Sequence, residues 1–153
     1  MNRVPLSAYF AIMVILGLVA LLFAGPFRHW TGSSTIRNLL DLIAIFIAFM
    51  AGRRAKYQGR RVVNVGAMVG GLYGGLSGLS KFFITITRSE FLSKFNGKTP
   101  PTNLVSASLR IANSPVIHAL EFLGSFFGGV ILGLIIAALG SVTAKRHGDE
   151  MVI

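Results

Sequence analysis

The stretch VVNVGAMVGGLYGGLSGLSKFFITI, residues 62–86, decides the fold of this chain. Four of its glycines recur at every fourth position: Gly66, Gly70, Gly74 and Gly78. On a helix, at about 100° per residue, they form one slowly drifting stripe. In a soluble helix each interior glycine costs about 1 kcal/mol relative to alanine. In a membrane the backbone must satisfy its own hydrogen bonds, and small residues let neighbouring helices approach closely. The stretch therefore predicts a closely packed transmembrane helix.

The composition indicates a membrane protein independently of that stretch. Of 153 residues, 53% are hydrophobic and 13% are charged, whereas about a quarter is charged in ordinary soluble domains. The length suits one domain, so we expect residues 1–153 to form a single membrane domain. The net charge is +10, but the cations cluster beside apolar segments, and we expect no nucleic-acid partner. The chain has no cysteine, which excludes a disulfide framework and a thiolate metal site.

Four apolar segments are long enough to cross a bilayer, at residues 4–25, 35–52, 62–86 and 115–144. A cleaved signal peptide is the alternative for the first. The apolar region of this first segment is longer than that of a signal peptide, which has about 7 to 15 residues, and it ends in Gly25 and Pro26. We therefore predict an all-α integral membrane fold. It is a four-transmembrane-helix bundle with a glycine-rich third helix and a long outer loop between the third and fourth helices.

A dense basic segment follows the second span and orients the chain. Its cations are Arg53, Arg54, Lys56, Arg60 and Arg61. Short connections rich in Lys and Arg stay on the cytoplasmic side of a membrane. We therefore expect this segment and both termini to be cytoplasmic, in a bacterial cytoplasmic membrane. Contact with anionic lipid head groups and nuclear localisation are other interpretations of such a run.

The connection from Thr87 to Asn113 is the one long polar segment between spans. Its portion Leu104–Ala112 is apolar enough to lie on the membrane surface but too short and irregular for a span. Its cations are Arg88, Lys94, Lys98 and Arg110. They are far less dense than those of the basic segment, so we expect this connection outside.

The fourth span carries two further sets of small residues. Gly124 and Gly128 form one pair, and Gly129 and Gly133 begin a longer series. These spacings favour close packing of the fourth helix against the third. A flexible or pore-lining glycine helix is the functional alternative. The spacing does not match a nucleotide-binding glycine loop, and no alternation of strands and helices surrounds it.

Four ionisable residues lie inside the predicted spans: Asp41, Lys81, His118 and Glu121. Asp41 and Glu121 each lie roughly 9 Å from the outer end of their helices, and Lys81 arrives at a similar level. Arg37 lies one turn before Asp41 on the same helix and is its expected local partner. Charges in hydrocarbon face a partner or water, so we expect a buried polar cluster. A structural salt bridge of Lys81 with Glu121, an ion or proton pathway, and snorkelling to the interface are the alternatives. His118 and Glu121 alone are too few to indicate a metal site.

The sequence contains no phosphate-binding loop, metalloprotease motif or nucleophile elbow. We therefore expect no enzyme and no cofactor. A small multi-pass protein with a structural or assembly role, packing in the lipid bilayer with itself or a larger membrane complex, is the favoured function. The alternative is a small transporter or channel subunit with an outward-facing polar vestibule around Asp41, Lys81 and Glu121. A pathway needs polar residues in the inner half as well, where the sequence supplies few besides Asn64.

Reporter fusions at Gly59 and Gly97 test the topology. We expect a reporter at Gly59 to report a cytoplasmic position and one at Gly97 an external position, because the basic segment is retained inside. A cytoplasmic reporter at Gly97 would contradict the topology.

Overall fold

The computed structural model describes residues 4–95 and 100–144, of which 81% are helical and none forms a strand. The helices are α1 (Leu6–Ala24), α2 (Ser33–Tyr57), α3 (Val62–Gly78), α4 (Arg88–Ser93), α5 (Thr102–Ala112) and α6 (Pro115–Val142). A 3₁₀ segment, Leu79–Phe83, continues α3. Positions such as Gly97 and Lys98, which the sequence analysis used, lie outside the described residues.

Four helical segments among the described residues are long and apolar enough to cross a membrane. They are α1, α2, α3 with its 3₁₀ segment, and α6. The expectation of four apolar spanning helices is confirmed, and it indicates an integral membrane protein.

The helix ends differ from the sequence-based spans by more than two residues at two places. Helix α2 continues to Tyr57, so Arg53, Arg54 and Lys56 belong to its last turns. Only Gln58–Arg61 forms a turn, in which Gly59 takes a positive φ of 63°. The third span ends its helix at Phe83 instead of Ile86. We call the end of the bundle with this turn the basic end, and the opposite end, with residues 84–95 and 100–114, the loop end.

Helix α3 lies at the centre of the bundle and contacts α1, α2 and α6. Helix α1 packs on α2 and α3, and within the described residues it makes no contact with α6. The α2–α3 pair therefore separates α1 from α6, and both outer helices present most of their surface outward.

The contact between α3 and α6 is made backbone to backbone. A Cβ atom on Gly66 would lie 2.7 Å from the carbonyl oxygen of Gly133, and one on Gly129 would lie 2.5 Å from the carbonyl oxygen of Gly70. A Cβ on Gly74 would overlap the carbonyl oxygen of Ser125. No side chain fits at these positions, because the facing atoms belong to the partner backbone. The helices run antiparallel along this contact, which continues at Gly78 beside Ser125 and Phe122.

The structure differs from the expectation at Gly124 and Gly128. A Cβ atom on either would meet no atom within 4 Å. At about 100° per residue, Gly128 lies about 120° and Gly124 about 160° around α6 from the middle of the face that carries Gly129 and Gly133. The longer glycine series therefore contacts α3, and the pair at 124 and 128 faces outward with the exposed Phe127.

The basic end is closed by small residues. Helix α2 buries Ala44, Ala48, Ala51 and Ala55 against α3 and α1. Helix α2 also touches α6 there, since a Cβ on Gly140 would overlap the carbonyl oxygen of Phe49. Hydrogen and methyl side chains let the three helices meet with no room between them.

Polar contacts hold the loop end together. Arg28 lies between α1 and α2, and its guanidinium donates to the carbonyl oxygen of Thr85 (2.8 Å) and to Glu90 Oε1 (3.1 Å). The side chain of Asn113 bonds both the N–H and the carbonyl oxygen of Ile86, at 2.7 and 3.0 Å. Three segments distant in sequence are thereby fixed over the ends of the spanning helices.

A capping box begins α4. The Thr87 hydroxyl accepts from the Glu90 N–H, and the Glu90 carboxylate accepts from the Thr87 N–H. The hydrogen bond from the Thr87 backbone and the nearby Arg28 lower the pKa of Glu90. Because the pKa is lowered in the folded chain, this contribution to stability is present above the ordinary pKa of a glutamate and is lost as the pH falls through the lowered pKa.

The segment expected on the membrane surface is a helix in the structure. Helix α5 begins after Pro101, buries Val105 against the rest of the chain, and exposes Leu104 and Ile111. Its position relative to a bilayer stays a prediction.

We expect Gly70→Ala to lower the thermal stability of the monomer by about 1–3 kcal/mol, because the added methyl group meets the backbone of α6. Gly128→Ala is the matched control, since it makes the same chemical change where nothing lies within 4 Å. Unfolding midpoints of the two alanine variants, in a detergent that keeps the chain monomeric, measure this difference.

Gly70→Leu or Gly74→Leu should disrupt the fold far more than Leu72→Ala. Equal tolerance of all these changes would show that the α3 stripe does not pack.

Candidate functional site

A polar cavity of about 350 Å³ opens between the spanning helices toward the loop end. Helix α1 contributes only alanines, Ala20 and Ala24, to its wall. The polar lining comes from α2, from α3 with its 3₁₀ segment, and from α6: Arg37, Asn38, Asp41, Tyr73, Ser77, Ser80, Lys81 and Ser125. A cavity of this size, with polar groups converging on it, suits a small ligand.

One face of α2 explains why the cavity exists at this end and not at the other. At about 100° per residue, Arg37, Asp41 and Ala48 share a face. At the basic end this face carries alanine, and Ala44 and Ala48 are each 4% exposed. Toward the loop end the same face carries Arg37 and Asp41, which are exposed to the cavity. Long polar side chains keep the helices apart there, and hydrated charges need the space.

Asp41 is held by α3. The phenol of Tyr73 donates to Asp41 Oδ1 at 2.5 Å. Helix α2 begins at Ser33, so Asp41 lies about 12 Å along the helix from that end. Helical spacing predicts Arg37 as the partner of Asp41 and does not identify Tyr73. A phenol placed among glycines was the available signal, since a hydroxyl at membrane depth requires a partner.

Arg37 is left without the expected partner. It stands one turn from Asp41, a spacing that permits an ion pair on a helix. Among the described residues, however, Arg37 makes no ion pair and no side-chain hydrogen bond. Arg37 lines the cavity, and its guanidinium carries five N–H donors that can bind a ligand there.

Lys81 and Glu121 form the ion pair that the sequence analysis proposed between the third and fourth spans. Lys81 Nζ lies 3.8 Å from Glu121 Oε2, and the two side chains are 37% and 48% exposed. The antiparallel register of α3 and α6 brings the two residues to one level. At this exposure the pair contributes little to stability, about 1 kcal/mol or less.

His118 takes no part in this pair. It lies one turn before Glu121 on α6, and its buried Nδ1 atom has no hydrogen-bond partner in the part of the chain that the structure describes. In the part of the chain that the structure describes, no three His, Cys, Asp or Glu side chains come together as a metal site would require.

The expected polar cluster is thus divided into parts. Asp41 and Lys81 line one cavity, Glu121 joins it through Lys81, and His118 stays outside the lining. Among the described residues the lining stops toward the basic end at Asp41, Tyr73 and Ser125. Beyond that level α2, α3 and α6 touch directly, so the cavity does not continue to the basic end.

Comparisons with protein-family models, with curated proteins and with solved structures find no match for this chain. Its chemistry therefore has to be argued from its own residues.

We expect Lys81→Met and Glu121→Gln each to destabilise the protein, because each leaves one charge without its partner at membrane depth. The double change should recover part of the loss, with a coupling of about 1 kcal/mol. Thermal unfolding of the wild type, both single variants and the double variant measures this. Strictly additive losses would contradict a structural pair.

If the pair instead belongs to a pathway, Glu121→Gln should abolish an ion-dependent or pH-dependent activity and leave the fold intact. No second change at Lys81 should then restore that activity.

Proposed function

We propose that this chain is a small multi-pass protein of the cell membrane with a structural or assembly role. It packs laterally with another copy of itself or within a larger membrane complex. In a bacterial cytoplasmic membrane the basic end and both termini would be cytoplasmic, and the loop end with its long outer loop would face outward. The glycine contact of α3 with α6 acts in this proposal as a glycine zipper that makes the bundle a rigid unit.

The closed basic end carries this proposal. Where α2, α3 and α6 meet, Gly52, Gly66 and Gly140 each face backbone atoms of the neighbouring helix. A bundle closed by backbone contact offers no polar route for an ion or solute through a single chain. The protein therefore acts by contacts along its sides.

The outward face of α6 supports contact with a neighbouring helix. This face exposes Leu120, Leu123, Phe127 and Ile131 beside the open positions of Gly124 and Gly128. A pair of glycines spaced by four, flanked by large apolar side chains, favours close approach of a helix from another chain. In this proposal α6 packs through two faces. Gly129 and Gly133 contact α3 within the chain, and Gly124 and Gly128 contact a helix of another chain.

The mass of the protein in native membrane particles tests this role. We expect particles extracted from the membrane by a polymer to contain more than one copy of the 16.4 kDa chain. Gly128→Leu should reduce the copy number without unfolding the chain, because position 128 has open space inside the monomer. Ala11→Leu adds the same bulk on the exposed surface of α1 and should leave the copy number unchanged. Single-copy particles without any further protein would contradict the assembly role.

A small transporter or channel subunit is the second candidate, and the polar cavity is the observation that favours it. This function requires the glycine contacts at the basic end to open in another conformation. A crosslink between α2 and α6 at the basic end, placed on side chains beside the backbone contacts of Gly52 and Gly140 and not at those glycines, should then inhibit flux. No such inhibition is expected of the assembly role.

A further inference from the structure

We propose that the cavity at the loop end binds a small organic zwitterion, a molecule that carries one ammonium and one carboxylate or phosphate group. This inference goes beyond the assembly role and deepens the second candidate function. It rests on the cavity and on the charges that line it, and it holds whether or not the chain forms oligomers.

The two charges on α2 are not paired with each other. Arg37 and Asp41 line the same cavity one turn apart, yet they do not neutralise each other. The Tyr73 phenol holds the carboxylate of Asp41, while the guanidinium of Arg37 has no partner among the described residues. One cation and one anion therefore face the same space separately, an arrangement complementary to a ligand with both charges.

Leaving these two charges without a ligand costs free energy. An ionised group at membrane depth is expensive unless a partner or water satisfies it. Asp41 Oδ1 has its bond to Tyr73, and Oδ2, which has no hydrogen bond from the described residues, can accept from an ammonium. The Arg37 guanidinium presents the paired N–H groups that bind carboxylate and phosphate bidentately.

The other charges near the cavity favour a neutral ligand overall. Lys81 lines the wall but is paired with Glu121, so this pair adds no net charge. Arg37 and Asp41 likewise sum to zero. A purely anionic ligand would place a negative charge beside the carboxylate of Asp41. A purely cationic ligand would place a positive charge beside the guanidinium of Arg37. Hydroxyls from Ser77, Ser80 and Ser125 complete the lining with groups that donate or accept.

Two sources supply this chemistry, a free solute and the head group of a zwitterionic phospholipid. Three probes of one size separate the charges: β-alanine carries both, propylamine only the cation, and propionate only the anion. We expect β-alanine, at about ten times its Kd, to raise the unfolding midpoint of the full chain in detergent by about 3 °C. Glycerophosphoethanolamine, a phosphodiester that is neutral overall like the lipid head group, and nanodiscs with or without phosphatidylethanolamine form the head-group arm. Protection by either zwitterionic arm supports the proposal and identifies the source.

Variants then tie the binding to the two charges. Arg37→Gln and Asp41→Asn should each abolish the midpoint shift, and Tyr73→Phe should reduce it by releasing the carboxylate from its position. Arg88→Gln removes an exposed arginine of α4 outside the cavity and should leave the shift unchanged. The comparison of β-alanine with propylamine and propionate uses the unmodified chain, so it stands even where a variant fails to fold.

Three results would overturn the proposal. They are equal protection by propylamine or propionate, no protection by any zwitterion in detergent or in nanodiscs, and a shift that survives both Arg37→Gln and Asp41→Asn. The copy number of the chain, measured on the same samples, distinguishes a failed ligand site from a failed assembly role.

Discussion

The direct backbone contact between α3 and α6 is the constraint on which the rest of the structure depends. In lipid, no hydrophobic force draws apolar helices together, so they associate through close packing and polar contacts. Gly70 and Gly129 allow that packing because neither places a side chain between the helices. The contact holds α6 antiparallel to α3, and this register is what brings Lys81 opposite Glu121.

The tight contact at one end of the bundle and the cavity at the other arise from the same helix face. Along α2, alanines at Ala44 and Ala48 give way to charges at Asp41 and Arg37 within about three turns. Small side chains bring the helices together, whereas charged ones need partners and water. The bundle is thereby rigid at the basic end and polar at the loop end, where Arg28 and Asn113 hold the connections in place.

Much of the fold could be predicted because spanning helices are local properties of the chain. Length and apolarity along a segment suffice to place α1, α2, α3 and α6, and opposite charges at one depth suggested the pairing of Lys81 with Glu121. The site was harder to predict. Helical spacing paired Asp41 with Arg37, but a phenol from α3 reached the carboxylate instead, and no local pattern contains a contact between residues 32 positions apart.

By itself, the sequence determined four apolar spans, a stripe of glycine on the third, and the residues available for a polar site. Only the tertiary structure decided which glycines of α6 meet that stripe, where α2 separates from its neighbours, and which partner Asp41 takes. Periodicity identifies every small or polar face of a helix equally well. The rotation of each helix about its own axis is set by packing against its neighbours, and that rotation turns Gly129 toward α3 and leaves Gly124 facing outward.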